Sequence, residues 1–372
     1  MFHPQSDIIF IFLEFTYLLF CLFYIFNPLP FIRWFGYSLA GFKFSMSALD
    51  SMDMENYRKV YEVVEGIGFE PVMNQEGAFT SLLYIAKITH IPLPLFHMTE
   101  IILFLYSLSF LFEYFVPKDT AITISLIFGL QSVPGEISVY LLRQLLSTSL
   151  IFIGIGFLLR KNNFLAFLFA AISCTVHSSS YIYFPLFLSN LFSKKIIKIL
   201  VMVVGYTVFF IFAANLELGG QLIISTMGES SIYAGKHKEY EYYSTIKNWR
   251  NFTIGGFSLL LIGYFTAINI WKKAYFWKSP FWLYYSFTII MTLFRIALER
   301  SQIFWLSSRF NFISSILLLS SSIILTFEII IPEKEDKIFL ALIASLLFGV
   351  SMIVILSNYD NNTLFRIPRI PY

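Results

Sequence analysis

In residues 141–188, LLRQLLSTSLIFIGIGFLLRKNNFLAFLFAAISCTVHSSSYIYFPLFL, an arginine and a histidine stand among side chains suited to hydrocarbon. Arg143 and Gln144 open an apolar run that continues to Leu159. After the basic turn Arg160-Lys161, His177 falls midway through the next apolar stretch. An ionisable group at such depth costs at least a few kcal/mol and is a functional hypothesis by default. Arginine stays charged in poor solvent and offers a phosphate two parallel hydrogen bonds. Histidine titrates near neutrality and suits a general base or a hydrogen-bond donor.

Other residues extend this chemistry, and each has a plainer reading beside it. Arg295, Arg300 and Arg309 join Arg143 as cations at helix ends, a set suited to phosphate or pyrophosphate. Equally, such arginines snorkel to headgroups or pair with neighbours, as Arg295 would with Glu299 one turn away. His177 is either the base or a ring satisfied by Thr175 and Ser178 to Ser180. Asp53 and Tyr57, four residues apart, share a helix face, and Asp53 also fits an N-cap. Tyr233, Tyr240, Tyr242, Tyr243 and Trp249 suit sugar rings or a membrane-interface belt.

The elements that must hold these groups are membrane helices. Of 372 residues, 57% are hydrophobic and 13% charged, with 44 phenylalanines, and the mean hydropathy is +0.72. That excludes a water-soluble fold. Repeated runs of about 18 apolar residues, without ten-residue alternation, favour helices over a barrel. The runs are Ile8–Phe26, Leu29–Phe44, Met98–Phe115, Ala121–Val133, Ile137–Leu159, Ile196–Leu216, Asn251–Trp271, Ser279–Leu298, Arg309–Ile331 and Ile338–Ser357. The first run has neither a basic leader nor a cleavage site, so it reads as a retained helix. Residues 163–190 are too many for one upright helix and break near His177, which implies two short helices or a re-entrant hairpin.

Basic turns order the topology, because short basic loops prefer the cytoplasm. Arg160-Lys161, Lys194-Lys195-Lys198, Lys118, Lys272-Lys273-Lys278 and Lys334-Lys337 are assigned inside. Both termini, the acidic segment 45–94 with amphipathic helices at Met54–Glu65 and Ala78–Ile88, the segment 217–250 and the turn Glu299–Ser308 then lie outside. The result is a single all-α domain over 1–372, a polytopic bundle of about twelve transmembrane helices with two external loop regions. Scattered basic residues and a net charge of +3 give no nucleic-acid surface. Cys21, Cys174 and the five histidines have no metal-site spacing, so no metal and no cofactor are expected.

Five segments in this order resemble the EpsG family of polysaccharide-biosynthesis membrane proteins, which are Wzy-like repeat-unit polymerases: AGFKFSMSALDSMDMENY at 40–57, EGAFTSLLYI at 76–85, LLRQLLS at 141–147, AAISCTVHSSSYIYFPL at 170–186 and ERSQIFWLSSRF at 299–310. The chain departs from the family pattern at Lys43, where members commonly carry arginine, and extra residues separate that position from Asp53. The resemblance implies a metal-independent glycosyltransferase of the GT-C type at the outer face of the bacterial inner membrane. It would join oligosaccharide units carried on undecaprenyl pyrophosphate. Arg143, Arg295, Arg300 and Arg309 would then hold the pyrophosphate, and Gln144, Tyr57 and Glu76 other parts of the substrates. His177 is the first candidate for the base and Asp53 the second. The expected partners are the lipid-linked oligosaccharides, membrane lipids, a chain-length regulator and a flippase. The rival functions are a ligase for finished glycan and a flippase for lipid-linked oligosaccharide; a transporter would be expected to show paired or inverted repeats, and none is seen.

Overall fold

The structure is a computed structural model that describes residues 4–29, 31–48, 52–67, 77–130, 142–227, 262–264, 266–268, 270–271, 277, 281–301, 314, 316–326 and 336–359. Every regular element among them is helical. They belong to two compact units, one of Met1–Tyr181 with Ile331–Tyr372, the other of Ile182–Ile330.

In the first unit, helix α1 (Pro4–Phe26) shows how the sequence selects a membrane bundle. Phe12, Phe15, Leu19, Phe23 and Phe26 form an exposed stripe, whereas Glu14, Tyr17, Cys21 and Tyr24 are buried on the opposite face. Apolar groups outside and polar groups inside is the arrangement that lipid demands. Helix α2 (Ile32–Ala48) carries Lys43, fully buried, which pairs with Glu14 of α1 and donates to the Gly129 carbonyl at 2.7 Å. Its ammonium also lies 4.2 Å from the Phe44 ring centroid and 4.8 Å from that of Tyr17. Tyr17 Oη donates to the Leu126 carbonyl at 2.7 Å. Lys43 thus ties α1 and α2 to the end of α6 (Lys118–Ile127).

Helices α3 (Met52–Ile67) and α4 (Gly77–Ile88) are the two amphipathic helices expected in the acidic segment. Helix α5 (Leu93–Phe112) starts five residues earlier than the apolar run suggests, because proline is tolerated in a first turn whose N–H groups lack helical partners. It packs on α7 (Leu142–Leu159), and both have the length and apolarity of a membrane span. A Cβ at Gly41 would stand 2.8 Å from Met98 Cγ, and one at Gly156 2.7 Å from the Phe110 ring. The small residues therefore let α2 and α7 approach α5 closely. Helix α13 (Asp336–Tyr359) lies against α1.

Helix α4 ends in a Schellman turn, with Ile91 N–H donating to Ala86 at 2.8 Å and His90 N–H to Lys87 at 3.0 Å. The left-handed position is His90, at φ 57°, where glycine is the usual occupant. His90→Gly is expected to raise stability by about 1 kcal/mol, read as a higher midpoint of thermal unfolding in detergent. A lower midpoint would mean that the imidazole contributes more than the backbone loses.

The stretch 163–190 is broken at the expected place. It forms α8 (Asn163–Val176), a 3-10 helix (Ser178–Tyr183) and α9 (Phe184–Ser189). Asn162 caps α8 through its side chain, accepting from Leu165 N–H at 3.2 Å. His177 is the extended residue that stops it, at φ −154° and ψ 124°.

In the second unit, α10 (Lys195–Met227) runs past its expected end at Leu216. Gly219-Gly220 weakens a helix without forbidding it, and Leu222 to Ile224 resume the apolar pattern. Residues 195–215 have the length and apolarity of a third span. Helix α11 (Trp282–Arg300) meets α12 (Ile316–Thr326) along a buried polar seam. Tyr284 shares a 3.0 Å hydrogen bond with Ser320, and Thr288 one of 3.1 Å with Ser321.

Candidate functional site

The site in the first unit is built where α3, α4 and the break after α8 meet the beginnings of α5 and α7. One apolar cluster joins them: Met54, Tyr57 and Val60 of α3, Phe79 and Leu83 of α4, Leu93 of α5, Leu142 and Leu146 of α7, and Val176 of α8. The Tyr57 ring lies edge-on to Phe79 at 5.6 Å, so its hydroxyl is held in place by packing. Arg143, half-buried, reaches that hydroxyl with a long hydrogen bond from Nε at 3.5 Å. Its neighbour Gln144 is buried.

Helix geometry places His177 with them. Ser173 Oγ of α8 donates to the Ser147 carbonyl of α7 at 2.8 Å and shares a 2.6 Å hydrogen bond with Ser180 Oγ. The two helices run antiparallel through a short turn, so one turn beyond Ser173 is about level with one turn before Ser147. Those positions are His177 and Arg143. His177 is 7% exposed, and the hydroxyls of two residues near it in sequence make bonds within α8 and its break. Thr175 donates to the Ile172 carbonyl at 2.7 Å, and Ser180 pairs with Ser173.

At the other end of α7 the geometry differs. Arg160 directs its guanidinium to the Gly156 and Phe110 carbonyls, both at 2.9 Å, and lies over the Phe110 ring. It is a helix-capping arginine, whereas Arg143 meets a tyrosine hydroxyl at about the level of a buried histidine.

The remaining sequence candidates distribute as follows. Asp53 stands in the first turn of α3, one turn before Tyr57. Glu76 and Arg309 lie outside the described residues, as do Tyr233, Tyr240, Tyr242, Tyr243 and Trp249 of the segment 217–250. Arg295 and Arg300 belong to α11 in the second unit. Arg295 is 2% exposed and continues the line of Tyr284, Thr288 and Thr292 along that helix, so a cation is embedded at the end of the polar seam. Lys43, the departure from the family pattern, is engaged by Glu14 and the Gly129 carbonyl, which makes it a structural cation.

Three buried ionisable residues were missed by reading the sequence for basic groups: Glu14 on α1, and His97 and Glu100 on α5. The signal was present, since each interrupts an apolar helix.

Chemically, a half-buried guanidinium, a fixed phenol and a buried imidazole at one level can neutralise an anion and move a proton. Among the described residues no three His, Cys, Asp or Glu side chains converge as a metal site requires. Compared with known proteins, the chain matches the model of the EpsG family over residues 33–368. No curated protein and no solved structure matches it.

Proposed function

Because the chain belongs to the EpsG family, a family of Wzy-like polymerase type, we propose that it polymerises oligosaccharide repeat units carried on polyprenyl pyrophosphate. The observation that carries the reading is Arg143 on the Tyr57 hydroxyl, level with His177, at one end of two membrane-length helices. In the reaction a glycan leaves its lipid pyrophosphate for a sugar hydroxyl on another lipid-linked unit. Arg143 takes the charge that develops on the leaving pyrophosphate; the sequence offers Arg295, Arg300 and Arg309 as further cations for that role. Tyr57 fixes Arg143, and Gln144 and Glu76 hold sugar hydroxyls. His177 accepts the proton of the attacking hydroxyl, with Asp53 the second candidate.

In this reading the bundle is of the GT-C type with about twelve spans, needs no metal, and works at the outer face of the bacterial inner membrane. Both termini lie outside, as does the acidic segment 45–94 with its helices α3 and α4. A flippase supplies the substrates and a chain-length regulator limits the product. The end of α7 away from the site carries the basic turn Arg160-Lys161, which supports a cytoplasmic side there.

The test is the surface-glycan ladder of a strain lacking the gene. Single repeat units in the deletion and long chains on complementation support polymerisation; lipid-linked units accumulating on the inner leaflet would contradict it in favour of a flippase. Tyr57→Phe keeps the ring and removes the hydroxyl, so transfer should slow by about fivefold, the worth of one ordinary hydrogen bond. An unchanged rate would show that Arg143 is positioned by other contacts.

A further inference from the structure

Helix α5 carries two ionisable side chains that the mechanism above does not use. His97 and Glu100 are 0% and 3% exposed. Their side of the helix is fixed by neighbours. Phe104, one turn on from Glu100, lies 6.2 Å from Phe152 of α7. Met98 and Ile102, on the opposite side, face Gly41 of α2. Leu93, Phe96 and Leu103 belong to the same apolar cluster as Tyr57 and Val176.

Helices α5 and α7 run in parallel, as Phe104 by Phe152 and Phe110 by Phe157 show. One turn back from the first contact, Glu100 is about level with Thr148, next to the Ser147 carbonyl that receives Ser173. A further turn brings His97 about level with Gln144. Among the described residues neither Glu100 oxygen has a hydrogen-bond partner. A carboxyl group buried without one lowers stability, and such groups inside membrane bundles mark proton relays and substrate paths.

We propose that His97 and Glu100 form a proton relay for this site, a proposal that rests on the transferase reading above. In each transfer the acceptor oxygen loses its proton to His177 and bonds to the anomeric carbon. The bond from that carbon to the pyrophosphate oxygen breaks, and its electron pair stays on the pyrophosphate. The proton then passes from His177 to His97 and Glu100, and on to water when the product leaves. Residues three apart on a helix have Cβ atoms about 5–6 Å apart, so side-chain rotation brings the imidazole and the carboxyl into contact. The relay returns His177 to its neutral form before the next unit arrives.

Glu100→Gln keeps the shape and removes the proton acceptor. With wild type, Glu100→Gln and Arg143→Ala each purified into lipid vesicles, the Gln variant is expected to unfold at or above the wild-type midpoint. It should form the first linkage at the wild-type rate in a single turnover, and then run about 100-fold or more slower in steady state. Arg143→Ala should lose the first linkage as well. A steady-state rate equal to wild type in Glu100→Gln overturns the relay alone. A lowered midpoint with both phases falling together also overturns it, in favour of a structural carboxyl. Wild-type protein that makes no linkage overturns the transferase reading itself.

Discussion

Arg143→Ala is expected to leave surface glycan as single repeat units, with the transfer rate reduced about 100-fold or more at matched protein levels. Loss of one preorganised donor to developing charge has that order of effect. In the proposed reaction Arg143 supplies positive charge to the leaving pyrophosphate from a half-buried position. Its position supports the expectation: half-buried, held at Tyr57, and at the level of His177. Arg143→Lys keeps the charge without the planar fork and should fall between wild type and alanine. Full-length ladders from Arg143→Ala would mean that the leaving group is held elsewhere, with Arg295 of the second unit the next residue to replace.

The second large effect concerns folding. Lys43→Ala is expected to destabilise the protein by about 3–5 kcal/mol, because it strands the Glu14 carboxylate in the bundle interior. Glu14→Ala should cost a similar amount by stranding the ammonium. Both groups are fully buried, and Lys43 also serves the Gly129 carbonyl. The double replacement Lys43→Met with Glu14→Leu removes both charges at similar volume and should recover most of the loss. Thermal unfolding of the purified variants in detergent measures this. Single variants within about 1 kcal/mol of wild type would show that water reaches the pair.

The helical class was legible from composition, since no soluble fold carries so few charges among so many phenylalanines. The break at His177 was legible too, because the stretch was too long for one helix and held a serine cluster where apolar continuity failed. Arg143 and Tyr57, 86 residues apart, were each singled out by type and local spacing. Their meeting depends on how α3 packs across the start of α7, which no local pattern encodes. Glu14, His97 and Glu100 were passed over because a single charge scarcely lowers the mean hydropathy of a long apolar run. What makes them informative is the side of the helix they occupy, and that is fixed only by tertiary packing. The engagement of Lys43 by Glu14 likewise joins residues on two separate helices.

The most direct measurement is to place purified wild-type protein in vesicles with a polyprenyl-pyrophosphate-linked oligosaccharide as the sole substrate. The expected result is a ladder of lipid-linked dimers and longer chains, one free polyprenyl pyrophosphate released per linkage, and both products formed about 100-fold or more slower by Arg143→Ala. Transfer of the substrate across the bilayer with no new linkage, or a ladder that forms equally well without Arg143, would contradict the account.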